Sequence, residues 1–167
     1  LYYKLADPVY HATSTVLIDQ KIPSFPVSVE GPGRQVLQNI KNELEILKSR
    51  SIADTVAARL LERKYLDSLG RNPILIIQPS VERAQIGVPA STDEIIGRLS
   101  NVVDFDPLRE TDIIKITVKS PNPEEASLIA NLYAQTYFNR NIYMSRSKSR
   151  ALREFLAAQV RDKRSVL

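Results

Sequence analysis

The chain has no cysteine among its 167 residues, which excludes disulfide frameworks, thiolate metal sites and cysteine nucleophiles. Histidine occurs once, at His11, with no companion at the spacing that a zinc site needs. Glycine is scarce, at five residues. The stretch Gly31-Pro32-Gly33-Arg34 lacks the Gly-Lys-Ser/Thr ending of a phosphate-binding loop, and its proline removes one amide donor, so it reads as a plain loop. Long apolar runs are absent too. Ile74-Leu75-Ile76-Ile77 falls far below the roughly 18 to 20 residues needed to cross a bilayer, and no signal peptide is visible.

What is present has the balance of a folded protein, with 43% hydrophobic and 25% charged residues. The length suits a single domain. The chain opens on Leu1-Tyr2-Tyr3 without an initiator Met and stops at Ser165-Val166-Leu167 while a helical pattern is still running, so it is expected to be an excerpt. The net charge of +4 is unevenly placed. From Asn139 onward Arg140, Arg146, Lys148, Arg150, Arg153, Arg161, Lys163 and Arg164 face only Glu154 and Asp162. Such a segment suits nucleic acid, a polyanionic polymer or an acidic partner face, or is simply a solvated helix surface.

Tyr10, Ala12, Ser14, Val16 and Ile18 alternate along a β-branched stretch, which predicts a strand. Pro23, Pro26, Gly31, Pro32 and Gly33 then form a loop. From about Arg34 the period becomes helical. Leu37, Ile40, Leu44 and Leu47 make one stripe, and Ile52, Val56 and Leu60 a second one rotated around the axis. One long amphipathic helix with two differently aimed faces is expected, the change falling at Ser49-Arg50-Ser51. Asp67 to Ala90 is poorly legible, with room for a short strand. Ser91-Thr92-Asp93-Glu94 fits a capping box ahead of a short helix through Ile95, Ile96 and Leu99.

Val102 to Phe105 and Ile113 to Val118 read as a hairpin with one wet face. Asn122 is placed as an N-cap, with Pro123 at the first helical position and Glu124 and Glu125 facing the positive end of the dipole. The helix begun there runs through Ile129, Leu132, Tyr133 and Tyr137, then resumes an apolar stripe at Leu152, Phe155, Leu156 and Val160. Ser145 to Arg150 between them is polar on every side, as suits solvent or a polar partner. Unbroken to Asp162, such a helix of about 40 residues would measure roughly 60 Å. It is expected to project, or to bend near Arg146.

No nucleophile, base and oxyanion set emerges, so the domain is expected not to be an enzyme and to hold neither cofactor nor metal. Asp104-Phe105-Asp106 shares a pattern with some divalent-metal sites but reads better as a solvated strand end. Glu43 and Glu45 point in different directions on a helix and make no carboxylate dyad. Nucleic-acid binding would rest on the basic tail alone, because aromatic residues do not interleave with it as a stacking platform.

Tyr10-His11-Ala12 opening the first strand, NELEILKSRSIADTVAARL on the first helix, the strand Ile113 to Ser120, SPNPEEASLIANLYAQTYFNRN, and the helical stretch Ala151 to Val160 occur in that order. In this order the chain resembles the periplasmic domain of the Wzz-type chain-length determinants, the polysaccharide co-polymerases of bacterial envelopes. The resemblance covers most of Tyr10 to Val160. Its most specific parts are Glu45 to Arg50 with Val56 and Leu60, and Ser120 to Pro123 with Ala126, Ala130 and Asn131; Asp67 to Ala90 departs from it.

The resemblance implies an inner-membrane protein with a transmembrane helix on each side of a periplasmic α/β domain. It implies ring-like homo-oligomers that set the chain length of O-antigen, capsule or exopolysaccharide together with a polymerase. The chain would lack both spans and the return half of a long-helix hairpin. The Leu-Lys-Ser-Arg form looks more like the exopolysaccharide and kinase-linked branch, in which the domain would sense polymer for a cytoplasmic tyrosine kinase. The rival from another class is a basic helical nucleic-acid-binding protein.

The expectation is therefore one α+β domain over 1–167, with a base of about 1–140 and a projecting helix of about 123–164. A small mixed sheet packs on a long amphipathic helix. Glu43, Glu45, Lys48, Ser49 and Arg50 are the candidate oligomer contacts, and Arg146, Lys148 and Arg150 the candidate contacts to nascent polysaccharide or a partner. No nucleic acid is expected as a ligand.

Overall fold

The computed structural model describes residues 8–18, 32–62, 65, 70, 91–109 and 111–165. Strand β1 (Tyr10–Leu17) is followed by helices α1 (Pro32–Lys48) and α2 (Arg50–Glu62). Helix α3 (Thr92–Val102) leads directly into β2 (Val103–Pro107), and β3 (Ile113–Ser120) precedes α4 (Pro123–Ser165). The class is α+β as expected. The chain divides into two compact units, one ending at Thr136 and the other beginning at Tyr137. The possible strand within Asp67 to Ala90 and the loop preceding α1 fall outside the described residues, apart from Gly70 and the Pro32-Gly33 start of α1.

In the first unit the strand order is β1-β3-β2. Both pairings are antiparallel, so the described sheet is not the mixed one expected. Period-2 alternation marks a strand but carries no information on its direction. Ile116 on the central strand stands opposite Ser14 on one side and Phe105 on the other, and Val118 opposite Ala12 and Val103. These positions belong to the face turned to the helices, where Ile114, Ile116 and Val118 are fully buried. The other face carries Lys119 and the exposed β1 residues His11, Thr13, Thr15 and Leu17, as the alternation predicts.

Helix α1 packs on β2 and α2, α2 on α3, and α3 on β2 and β3. Leu47, Ile52, Val56 and Leu60 fill the core with Ile95 and Leu99. From α4, Ala126, Ile129, Ala130 and Tyr133 join them. The Tyr133 ring meets Phe105 of β2 edge-to-face, with centroids 5.4 Å apart, a favoured aromatic geometry. Arg59 of α2 donates to the Thr136 hydroxyl at 3.2 Å.

The expected single long helix is two helices, parted at Ser49. The Ser49 hydroxyl donates to the Ile46 carbonyl at 2.6 Å and its backbone N–H reaches the same oxygen at 3.1 Å. Serine thus offers the backbone an alternative to continuing the helix. The break also resolves the two stripes. In an unbroken helix Leu47 and Ile52 would lie about 140° apart, yet both are almost wholly buried.

Both helices start at the predicted caps, Ser91 and Asn122, and of the capping box at Ser91 the half made by the serine oxygen is seen. Ser91 accepts from the Glu94 N–H at 3.3 Å, while the Glu94 carboxylate accepts from Arg98 one turn on at 2.8 Å. Asn122 Oδ1 accepts from the N–H groups of Glu124 at 2.9 Å and Glu125 at 3.4 Å, capping α4. Behind this cap the buried Ser120 hydroxyl donates to the buried Glu125 carboxylate and accepts from the Asn122 N–H.

The second unit is the remainder of α4. The helix passes through Arg146 without interruption to Ser165, and residues 146–161 are exposed throughout. No helix among the described residues is long and apolar enough to cross a membrane.

Candidate functional site

The charged stretch around Ser49 sits where α1 ends and α2 begins. Lys48 is exposed in the last turn of α1, where a cation suits the negative end of the helix dipole. Arg50, first residue of α2, reaches Asp93 in the first turn of α3 at 2.5 Å and Asp54 one turn along at 3.8 Å. Arg50 is therefore already engaged within the protomer. Its pairs are solvent-exposed and individually weak, so a neighbouring carboxylate could exchange with Asp93 at little cost. Ser49 is half-buried and committed to Ile46. Glu45 and Lys48 are exposed and three residues apart, so they share one edge of α1, whereas the half-buried Glu43 lies about 160° from Glu45. The five candidate contacts thus do not form one surface. Glu45 and Lys48 form an exposed pair of opposite charges, and Ser49 and Arg50 shape the junction.

The wet face of the sheet holds a second charged group. Asp104 receives Lys119 at 2.7 Å and Asp106 lies 3.9 Å from Lys115 across the β2–β3 ladder. These lysines occupy the carboxylates that the sequence pattern left open to a cation, and the described residues contain no cluster of three or more metal-ligating side chains. The hydrogen bond and charge of Lys119 hold the Asp104 carboxyl below its ordinary value of 3.8, and Asp104 in turn raises Lys119 above 10.5.

The lowered carboxyl adds stability at pH above its unfolded value, and that contribution is lost as pH falls through the folded one. The raised ammonium does so below its unfolded value, losing it as pH rises through the folded one. Replacing Lys119 by Met should move Asp104 upward toward 3.8 in an NMR titration of the side-chain carboxyl carbons; an unmoved value would mean that the pair does not form in solution.

The basic part of α4 is arranged differently from its order in the sequence. At about 100° per residue, Arg146, Arg150, Arg153 and Arg161 fall within an arc of about 80°, whereas Lys148 lies about 160° from Arg146. All five are exposed. Adjacency in the sequence groups Arg146, Lys148 and Arg150. Helical geometry keeps the two arginines, removes the lysine and adds Arg153 and Arg161, a relation legible in the i, i+4, i+7 spacing.

Among the described residues no carboxylate pairs with any of the four arginines, and Arg161 only donates to the Ala157 carbonyl. Beside this edge runs a strip formed by Leu152, Phe155, Leu156 and Val160, each more than half exposed. The two features together make the later turns of α4 a surface with one apolar and one cationic side. Compared with family models, curated proteins and solved structures, the chain matches none.

Proposed function

We propose that this chain is the periplasmic part of a polysaccharide co-polymerase of the Wzz type, a non-enzymatic assembly module that works as a ring-like homo-oligomer in the bacterial inner membrane. The observation that carries the reading is α4. Its first turns are buried, with Tyr133 against Phe105 of the sheet, and its later turns expose four large apolar side chains in one strip. A row of that kind on a single helix is a surface for another segment to cover. In the family that this chain resembles, the return half of a helical hairpin would cover it.

The order of the elements supports the same reading. The strand, the helix pair with Leu47-Lys48-Ser49-Arg50 at its junction, the β-hairpin and the Asn122-capped long helix follow one another as the resemblance requires. Glu45 and Lys48 then serve neighbouring protomers, where opposite charges fix register more than they add affinity.

The test is genetic and direct. Removing the full-length gene from its host should abolish the modal length distribution of a surface polysaccharide on a gel, and restoring it should bring the distribution back. A distribution that is the same with and without the gene overturns the reading.

A further inference from the structure

We propose that the arginine edge of α4, Arg146, Arg150, Arg153 and Arg161, binds a carboxylate-bearing polysaccharide chain, an inference that rests on the co-polymerase reading and specifies its ligand. The four side chains extend over about 22 Å of helix axis. They are exposed and share one edge; among the described residues Glu154 lies on that edge too, within about 20° of the Arg161 position, but it forms no ion pair with any of them and leaves four cations against one anion. Each guanidinium presents a planar fork that matches a carboxylate with two parallel hydrogen bonds.

A lone acid gains little from one such exposed fork. A chain that carries acids in series gains at every further fork, because each later contact forms within an already bound molecule. An extended row therefore selects a polymer over a small anion.

The surroundings narrow the polymer. A helix seated in a duplex groove meets phosphates along both flanks, but here the arginines occupy one side and the apolar strip the other. Single-stranded nucleic acid wants aromatic side chains spaced along the basic track. On this edge there is Tyr143, 72% exposed and within about 20° of the arc position of Arg150, while Phe138 and Phe155 lie toward the apolar side. One flat amphipathic ring beside a row of forks suits a sugar ring flanked by acids, the ring resting on the sugar's C–H face and the phenol bonding its hydroxyls.

The test uses the 167-residue chain and a fluorescent oligogalacturonate, a linear polymer with one carboxylate per sugar, followed by anisotropy at low and moderate salt. Binding is expected, weakening as salt rises. Replacing Arg146, Arg150 and Arg153 together by Gln should weaken it by about tenfold or more, since three of four charge-assisted contacts are removed. Lys148→Gln, on the opposite edge, should leave it within about twofold. Circular dichroism melts should be unchanged, because every altered side chain is exposed.

Four outcomes overturn the inference: no binding to the oligogalacturonate, equal binding to neutral dextran, equal loss in Lys148→Gln, or tighter binding to single-stranded DNA of the same length. The two ideas fail separately. If these results come while polysaccharide length still depends on the gene, the ligand assignment falls and the co-polymerase reading stands. If the arginine edge binds as expected while length is independent of the gene, the reverse holds.

Discussion

Replacing Ile116 by alanine is expected to lower the stability of the fold by about 3 to 4 kcal/mol, within the range for large-to-small changes at sites that cannot collapse. Ile116 is fully buried at the middle of the central strand, between Ser14 of β1 and Phe105 of β2. Both neighbouring strands are held to β3 by their ladders, so neither can move in to fill the space without breaking hydrogen bonds. The vacated volume stays as a cavity, and its lining loses dispersion contacts as well as hydrophobic transfer energy. Urea unfolding should show a lower midpoint with an unchanged slope. Ile116→Val, which removes one methylene, should cost about 1 kcal/mol. A loss below about 1 kcal/mol for the alanine variant would mean that the helices settle onto the sheet, contrary to a core held on both sides.

The position of Ile116 was legible in the sequence, since Ile114, Ile116 and Val118 alternate with Lys115, Thr117 and Lys119 and only one partition buries the branched residues. The caps at Ser91 and Asn122 were legible for a similar reason: a helix start needs local side-chain oxygen, and local chemistry is written locally. The direction of β1 was not, because its partner lies about a hundred residues away and nothing in an alternating pattern specifies which way a strand runs. The junction at Ser49 was half legible. The rotation between the stripe ending at Leu47 and the one beginning at Ile52 showed that something changes there. Whether the helix turns a second face to a second neighbour, or breaks so that both stripes face one core, depends on tertiary packing that periodicity does not contain.

The candidate sites follow the same division. Asp104 and Lys119 are 15 residues apart, and their pairing follows from the β2–β3 register, which sequence alone leaves open. Arg50 and Asp93 meet because α2 packs on α3. The arginine edge, by contrast, needed only the helical period. Its spacing was available, and reading neighbours in sequence as neighbours in space obscured it.

Tyr133 sets the second large expectation, in alkaline solution. Its side chain is 3% exposed against Phe105, and burial pushes the phenol from 10.0 up to about 12, because the anion would lose its hydration there. A folded value above the unfolded one means that the folded chain keeps its proton where the unfolded chain has released it. The stabilising contribution is therefore whole below about pH 10 and is lost as pH rises toward 12. The difference of about two units corresponds to at most about 3 kcal/mol.

Urea midpoints should fall between about pH 10 and pH 12, as this linkage requires, and Tyr133→Phe should remove a large part of the fall, because phenylalanine keeps the ring contact and has nothing to ionise. The comparison also separates Tyr133 from Lys119, whose contribution disappears in an overlapping range above 10.5 but persists in the phenylalanine variant. If the variant and the parent chain lose stability equally across that range, the phenol is reached by water in solution, and the contact between α4 and β2 is looser than the edge-to-face packing of Phe105 and Tyr133 requires.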